Sequence, residues 1–144
     1  MNVPSLRSPT APTGGIFYFA RMVDKIRLNA EGTLPADYQP NLGGGFDTRC
    51  LNFLGIDYTA LVERVGKGGD DQEILEWAFS QGRKPGEEEI EVWNEFMRKR
   101  GWNDEATPTL QRRLRESNAE DRTDIQTFFD YIDFDEGRDP RDRT

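Results

Sequence analysis

Apolar residues recur at helical spacing along most of the chain. Ile16, Phe19, Ala20, Val23 and Ile26 lie three and four apart, which predicts a helix beginning near Gly15. Phe17, Met22 and Leu28 fill its other faces, so this helix is apolar nearly all round and belongs at the centre of the fold. Phe46 to Leu54 reads as a short helix closed by Gly55. Tyr58, Leu61, Val62 and Val65 form the next stripe, capped by Asp57 and stopped by Gly66. Asp70-Asp71-Gln72-Glu73 has the form of a capping box, ahead of a buried face of Ile74, Trp77 and Ala78 that Gly82 ends. Pro85 suits a first helical position. Glu87, Glu88 and Glu89 suit the first turn that follows, with Ile90, Trp93 and Met97 as the stripe. Thr107-Pro108 opens another helix, with Leu110 and Leu114 as its apolar pair. A last helix, over Thr123 to Asp133, presents Ile125, Phe128, Phe129 and Ile132.

No run alternates with period two for long enough to make a strand. The pattern therefore predicts an all-α fold, a compact bundle of about six or seven short helices around a buried first helix. Residues 1–14, with Pro4, Pro9 and Pro12, predict an irregular extended arm anchored by Leu6. Residues 31–45 hold two prolines and four glycines and predict a loop, pinned by Tyr38 and Leu42. Residues 135–144 predict a charged tail that frays. A length of 144 residues is that of one domain, residues 1–144, with a core that needs no metal or disulfide.

Charge narrows the class of partner. The formal net charge is −8, which disfavours phosphate backbones and anionic membranes, so no nucleic-acid or membrane binding is expected. The charge is also segregated. Residues 70–95 carry nine acids against two bases, and residues 96–115 six bases against two acids. Either two helices of opposite sign pack together, or a basic patch meets an acidic partner. The opening run has no apolar core of the kind a signal peptide needs, and no segment has the length of a membrane span. With a single cysteine, Cys50, and no internal disulfide, a cytoplasmic protein is expected.

Absent residue types exclude much chemistry. With no histidine the chain builds neither a Ser-His-Asp triad nor a His-based metal site, and one cysteine cannot build a thiolate zinc site. Cys50, beside Leu51, reads as a buried structural thiol. Gly43-Gly44-Gly45 lacks the Lys-Ser/Thr of a phosphate-binding loop. Thr13-Gly14-Gly15 could present backbone N–H groups to an anion or simply lead into a helix. Counting from Asp133, Gly137 is fifth and Thr144 twelfth, whereas a calcium loop needs glycine sixth and a carboxylate twelfth. No cofactor or metal is indicated. Tyr18, Trp77, Trp93 and Trp102 are expected in core packing rather than in a ligand pocket.

The charges on the first helix are the candidate site. Counting 100° per residue, Lys25 lies opposite the main apolar stripe, Arg27 falls within it and Asp24 borders it. Arg21 and Lys25 are one turn apart, and Asp24 reaches Arg21 and Arg27 at three-residue spacing. Buried, these groups must be paired, either in a structural ion-pair cluster joined by acids from the C-terminal segment or around a carboxylate or phosphate ligand.

Several segments stand in a recognisable order. Leu6-Arg7-Ser8-Pro9, Gly14-Gly15 and Ala20-Arg21-Met22-Val23-Asp24-Lys25-Ile26-Arg27 open the chain. Gly32-Thr33-Leu34, Phe53-Leu54-Gly55-Ile56-Asp57, Trp77 and Trp93-Asn94 follow. Thr127-Phe128-Phe129, Ile132-Asp133 and Asp135-Glu136-Gly137-Arg138 close it. Over nearly its whole length the chain resembles a family of small bacterial proteins known only as a domain of unknown function. The resemblance implies a bacterial, stand-alone, helical protein and no assigned activity. Its two most specific segments, the Ala-Arg-Met-Val-Asp-Lys helix and the Asp-Glu-Gly-Arg ending, are both charged. Asp133, Asp135 or Glu136 is therefore expected to face Arg21, Lys25 or Arg27, with Arg138 alongside.

Two functional classes remain. One is a non-catalytic helical interaction or accessory protein with a protein partner, predicting an exposed patch and no deep pocket. The other is a small-molecule or anion binder, or an enzyme using Arg, Lys and Asp, predicting a pocket lined by the first helix.

Overall fold

In the computed structural model, which describes residues 2–139, the first long stripe becomes α1, Phe19–Ala30. Nine of its 12 residues are buried, which makes α1 the axis of the core. A 3₁₀ helix, Ala36–Asn41, lies within the expected loop. It is followed by α2 (Phe46–Leu54), α3 (Tyr58–Gly66), α4 (Asp71–Gln81), α5 (Glu87–Lys99), α6 (Thr107–Glu116) and α7 (Phe128–Asp135). Among the described residues there is no β-strand. α1 packs on α3, α3 on α4, and α5 and α6 both pack on α7. Phe19, Met22, Leu54, Leu61, Ile74, Met97 and Phe129 are fully buried in the shared interior. None of these helices is long and apolar enough to cross a membrane.

The local signals act as their chemistry demands. Asp57 accepts the Ala60 N–H at 3.1 Å and starts α3. Asp70 and Glu73 form a reciprocal capping box at α4. Three helix starts and one core position differ from the sequence expectation. α1 begins at Phe19, not near Gly15, because Gly14, Gly15 and Tyr18 take φ values of +57°, +80° and +79°, outside the right-handed helix. The chain reverses there, with Thr13 and Ile16 exchanging backbone hydrogen bonds. α5 begins after Gly86, whose N–H is accepted by Glu89, and Pro85 is buried just ahead of it. In α4 the core position belongs to Leu75, and Trp77 is only half-buried. α7 begins at Phe128, capped by Thr127 and Asp130. The preceding residues stay in turns, although Ile125 is buried against Leu110 and Leu114.

Residues 3–6 and 135–136 are more tightly held than expected. In the arm, Val3 and Leu6 are buried with Leu28 and Leu34 in a small second core, onto which Tyr38 and Leu42 pack. At the other end Asp135 is the last residue of α7 and Glu136 is buried, so the charged tail does not begin at 135. The rest of that expected tail, residues 140–144, lies outside the described residues.

Candidate functional site

α1 carries three buried charges, Arg21, Asp24 and Lys25, into the interior. Each finds partners from a different part of the chain. Arg21 meets Glu136 as a fork, Nη1 to Oε1 at 2.8 Å and Nη2 to Oε2 at 2.6 Å. Its Nη1 also donates to the Arg7 carbonyl at 3.1 Å. Glu136 further accepts the Tyr38 hydroxyl at 2.7 Å and Arg138 Nη1 at 2.7 Å. Arg138 in turn reaches Asp133 at 3.2 Å and donates to the Leu6 carbonyl, which ties the end of α7 to the arm.

Lys25 Nζ lies 2.7 Å from Asp47 Oδ1 and 3.2 Å from the Tyr18 hydroxyl. That hydroxyl donates to the same Asp47 oxygen at 2.7 Å, and the Gly43 N–H covers Oδ2 at 3.0 Å. The third group centres on Asp24, midway along α1. Asp24 accepts the Arg7 backbone N–H and both arms of its guanidinium, each at 2.9 Å. Asp71 then holds Arg7 at 2.6 Å and Arg27 at 2.8 Å.

So Arg21, Glu136, Arg138 and Asp133 come together, while Lys25 and Arg27 find their acids elsewhere. Asp135 stays exposed; burial and then Glu136 push the Tyr38 phenol up, and Asp135 adds a little to this. The helical-wheel expectation is reversed at two positions. Lys25, read as facing away from the apolar stripe, is buried because α2 and the loop cover that side. Arg27, read as within the stripe, is one-third exposed and points off the end of α1 towards Asp71. Arg7, Tyr38, Asp47 and Asp71 complete the network and are not among the candidate residues, and Tyr18, expected in core packing, joins it through its hydroxyl. Their signals are weak ones: Arg7 lies in the Leu6-Arg7-Ser8-Pro9 segment, Tyr38 in the loop, and Asp47 in a first helical turn where an acid needs no further reason.

Burial pulls the Lys25 ammonium below its ordinary value, and Asp47 offsets this only in part. Burial also drives the Tyr18 phenol well up, with Asp47 adding to it, so the hydroxyl stays a donor. For Glu136, burial works upward, but Arg21, Arg138 and Tyr38 together hold the carboxyl below its ordinary 4.5. Its contribution to stability is thus fully present above 4.5 and is lost as pH falls through the lower folded value. Asp71, held down by Arg27 and Arg7 against its burial, acts in the same sense. The urea midpoint is expected to fall between roughly pH 6 and pH 3, and to fall less steeply in Glu136→Gln. Equal slopes in the two proteins would remove Glu136 as a source of the acid sensitivity.

The other candidates are structural in their geometry. Cys50 is fully buried and its thiol is pushed up by burial and then by Asp47, the opposite of an activated thiolate. The Gly14-Gly15 doublet precedes α1 by a further turn of chain and is clamped by α5. Asn94 accepts the Phe17 N–H at 2.9 Å and donates to the Gly15 carbonyl at 2.8 Å, and Trp93 Nε1 donates to the Phe17 carbonyl at 3.0 Å. Tyr18 and Trp93 are core residues, whereas Trp102 stands exposed. Among the described residues no three His, Cys, Asp or Glu side chains are grouped to hold a metal ion.

Two surface grooves flank α5, of about 620 and 330 Å³. Neither is lined by a residue of α1. The larger lies between α2 and α5, over the Phe53 ring stacked on Trp93 at 4.6 Å.

The chain belongs to the family described as Domain of unknown function (DUF5069), whose model matches residues 3–138. No curated protein matches the chain.

Proposed function

We propose that this member of a family of unknown function is a non-catalytic helical module, an accessory protein of the bacterial cytoplasm that works by contact with another protein surface. The charge balance around α1 carries the proposal. Arg7, Arg21, Lys25, Arg27 and Arg138 are matched one for one by Asp24, Asp47, Asp71, Asp133 and Glu136. An anionic ligand would have to displace a carboxylate already in place and leave it buried without a partner, at a cost of several kcal/mol. The candidate binding residues Arg21, Asp24, Lys25, Arg27, Asp133, Glu136 and Arg138 are accordingly assigned to holding the fold. Among the described residues the large apolar side chains left in solvent lie elsewhere: Val62 on α3, Val92 and Phe96 one turn apart on α5, and Trp102 just beyond α5.

Native mass spectrometry of protein purified without a metal-affinity step tests this. Peaks at integral multiples of the chain mass and nothing more are expected. A retained small molecule or ion would overturn the proposal in favour of a ligand-binding protein.

A further inference from the structure

The groove between α2 and α5 has an edge with an ordered charge pattern. On α5, Glu88, Val92, Phe96 and Lys99 fall within about 80° of arc at 100° per residue, so they share one face. Val92 is 63% and Phe96 43% exposed, although both are large apolar residues. Read along the helix, these four run acid, apolar, apolar, base, bordered by Glu89 and Glu95, which are held by Arg83 and Arg98 of the same chain. Glu88 is exposed and makes no ion pair among the described residues. Among the described residues Lys99 is paired only with Glu95 on its own helix, at 3.2 Å with both side chains about half exposed. Such a pair is worth little and is readily exchanged. The Arg49 guanidinium lies 5.1 Å from the centre of the Phe96 ring, which holds the ring at the groove's rim as a preformed anchor.

A face with this order is complementary to itself in one arrangement. Turned end for end about a twofold axis, Glu88 meets Lys99 at both ends and Val92 meets Phe96 between them. The two charges are about 16 Å apart along the helix, so both pairs can form at once. A parallel copy would set Glu88 on Glu88 and Lys99 on Lys99. A partner of uniform charge would be repelled at one end. From this complementarity we infer that the α5 face and its groove bind a second copy of this chain, with α5 antiparallel to its mate and Phe96 of each copy seated against Phe53 and Val92 of the other. The inference rests on the proposal that this protein acts through contact surfaces.

Sedimentation velocity on the full chain, from about 5 to about 500 μM, tests it over the range expected of a modest interface. Concentration-dependent dimer is expected. Phe96→Glu should weaken it by about tenfold or more, since it sets a carboxylate in the apolar centre. Glu88→Lys and Lys99→Glu should each weaken it, and the two combined in one chain should restore it, because the swap rebuilds both pairs across the axis. Circular dichroism checks that each variant is folded. A monomer throughout the range, a dimer indifferent to Phe96→Glu, or a double variant no better than its parents overturns the inference. A monomer without bound ligand would still leave the non-catalytic module standing and give the α5 face to a different protein. A retained ligand would overturn that proposal whatever the oligomeric state.

Discussion

Arg21→Met is expected to lower the free energy of unfolding by about 3–5 kcal/mol, a large share of what a domain of this size possesses. The loss is not the value of one ion pair. Arg21 supplies two of the four hydrogen bonds that Glu136 accepts, and a third bond of its own to the Arg7 carbonyl. Without it, Glu136 stays buried with one guanidinium and one phenol, and the arm loses a tie to α1. A urea midpoint lower by roughly 2 M is the reading, at an ordinary dependence on denaturant. The double variant Arg21→Met with Glu136→Gln should cost clearly less than the two singles added together, since it strands no charge. Additive losses would mean that Arg21 and Glu136 act independently and that the cluster is not the unit described above.

Which parts of this were legible in the sequence follows from the range of the interactions. Stripes, caps and stops are local, so α2, α3 and α4 fall close to where their residues place them, as with Asp57 and the Asp70–Glu73 box. Failures at α1 and α7 share a cause. Apolar residues beside a helix can be buried without being helical: Ile16 and Phe17 are drawn in by a reversal at Gly14 and Gly15, and Ile125 by a turn. The charged residues of α1 announced that they needed partners, and the closing segment did supply Glu136. Asp47 and Asp71 lie 22 and 44 residues from the cations they hold, and nothing in spacing or composition singles them out from the other acids. The segregated charge was legible, but its use was not. Both α5 and α6 pack on α7, and their ion pairs are mostly made within a turn or two of chain.

Gly82→Ala is expected to cost about 3 kcal/mol or more, well beyond an ordinary exposed substitution. Gly82 and Gly55 both read as helix stops, yet the structure gives them a joint task. The ends of α2 and α4 cross here backbone to backbone, with the Arg83 N–H donating to the Leu54 carbonyl at 2.9 Å. A methyl group at Gly82 would sit 2.0 Å from that carbonyl oxygen and 2.7 Å from the oxygen of Gly55. Neither is a side chain that can swing away, so the helices must separate. Gly55→Ala is the informative control. Its added carbon would lie 3.6 Å from its nearest neighbour, an ordinary contact, and the penalty is the φ of +72°, about 1 kcal/mol. Thermal unfolding should drop by roughly 6–12 °C for Gly82→Ala and by only a few degrees for Gly55→Ala. Equal drops would mean that backbone conformation, not close approach, fixes the crossing. The same crossing places Arg83, which donates to the Phe53 carbonyl, lies over the Phe53 ring and pairs with Glu89. Phe53 and Glu89 both line the larger groove. Gly82→Ala should therefore weaken self-association as well, at temperatures where the variant is still fully folded, because it moves the floor of the groove relative to Val92 and Phe96.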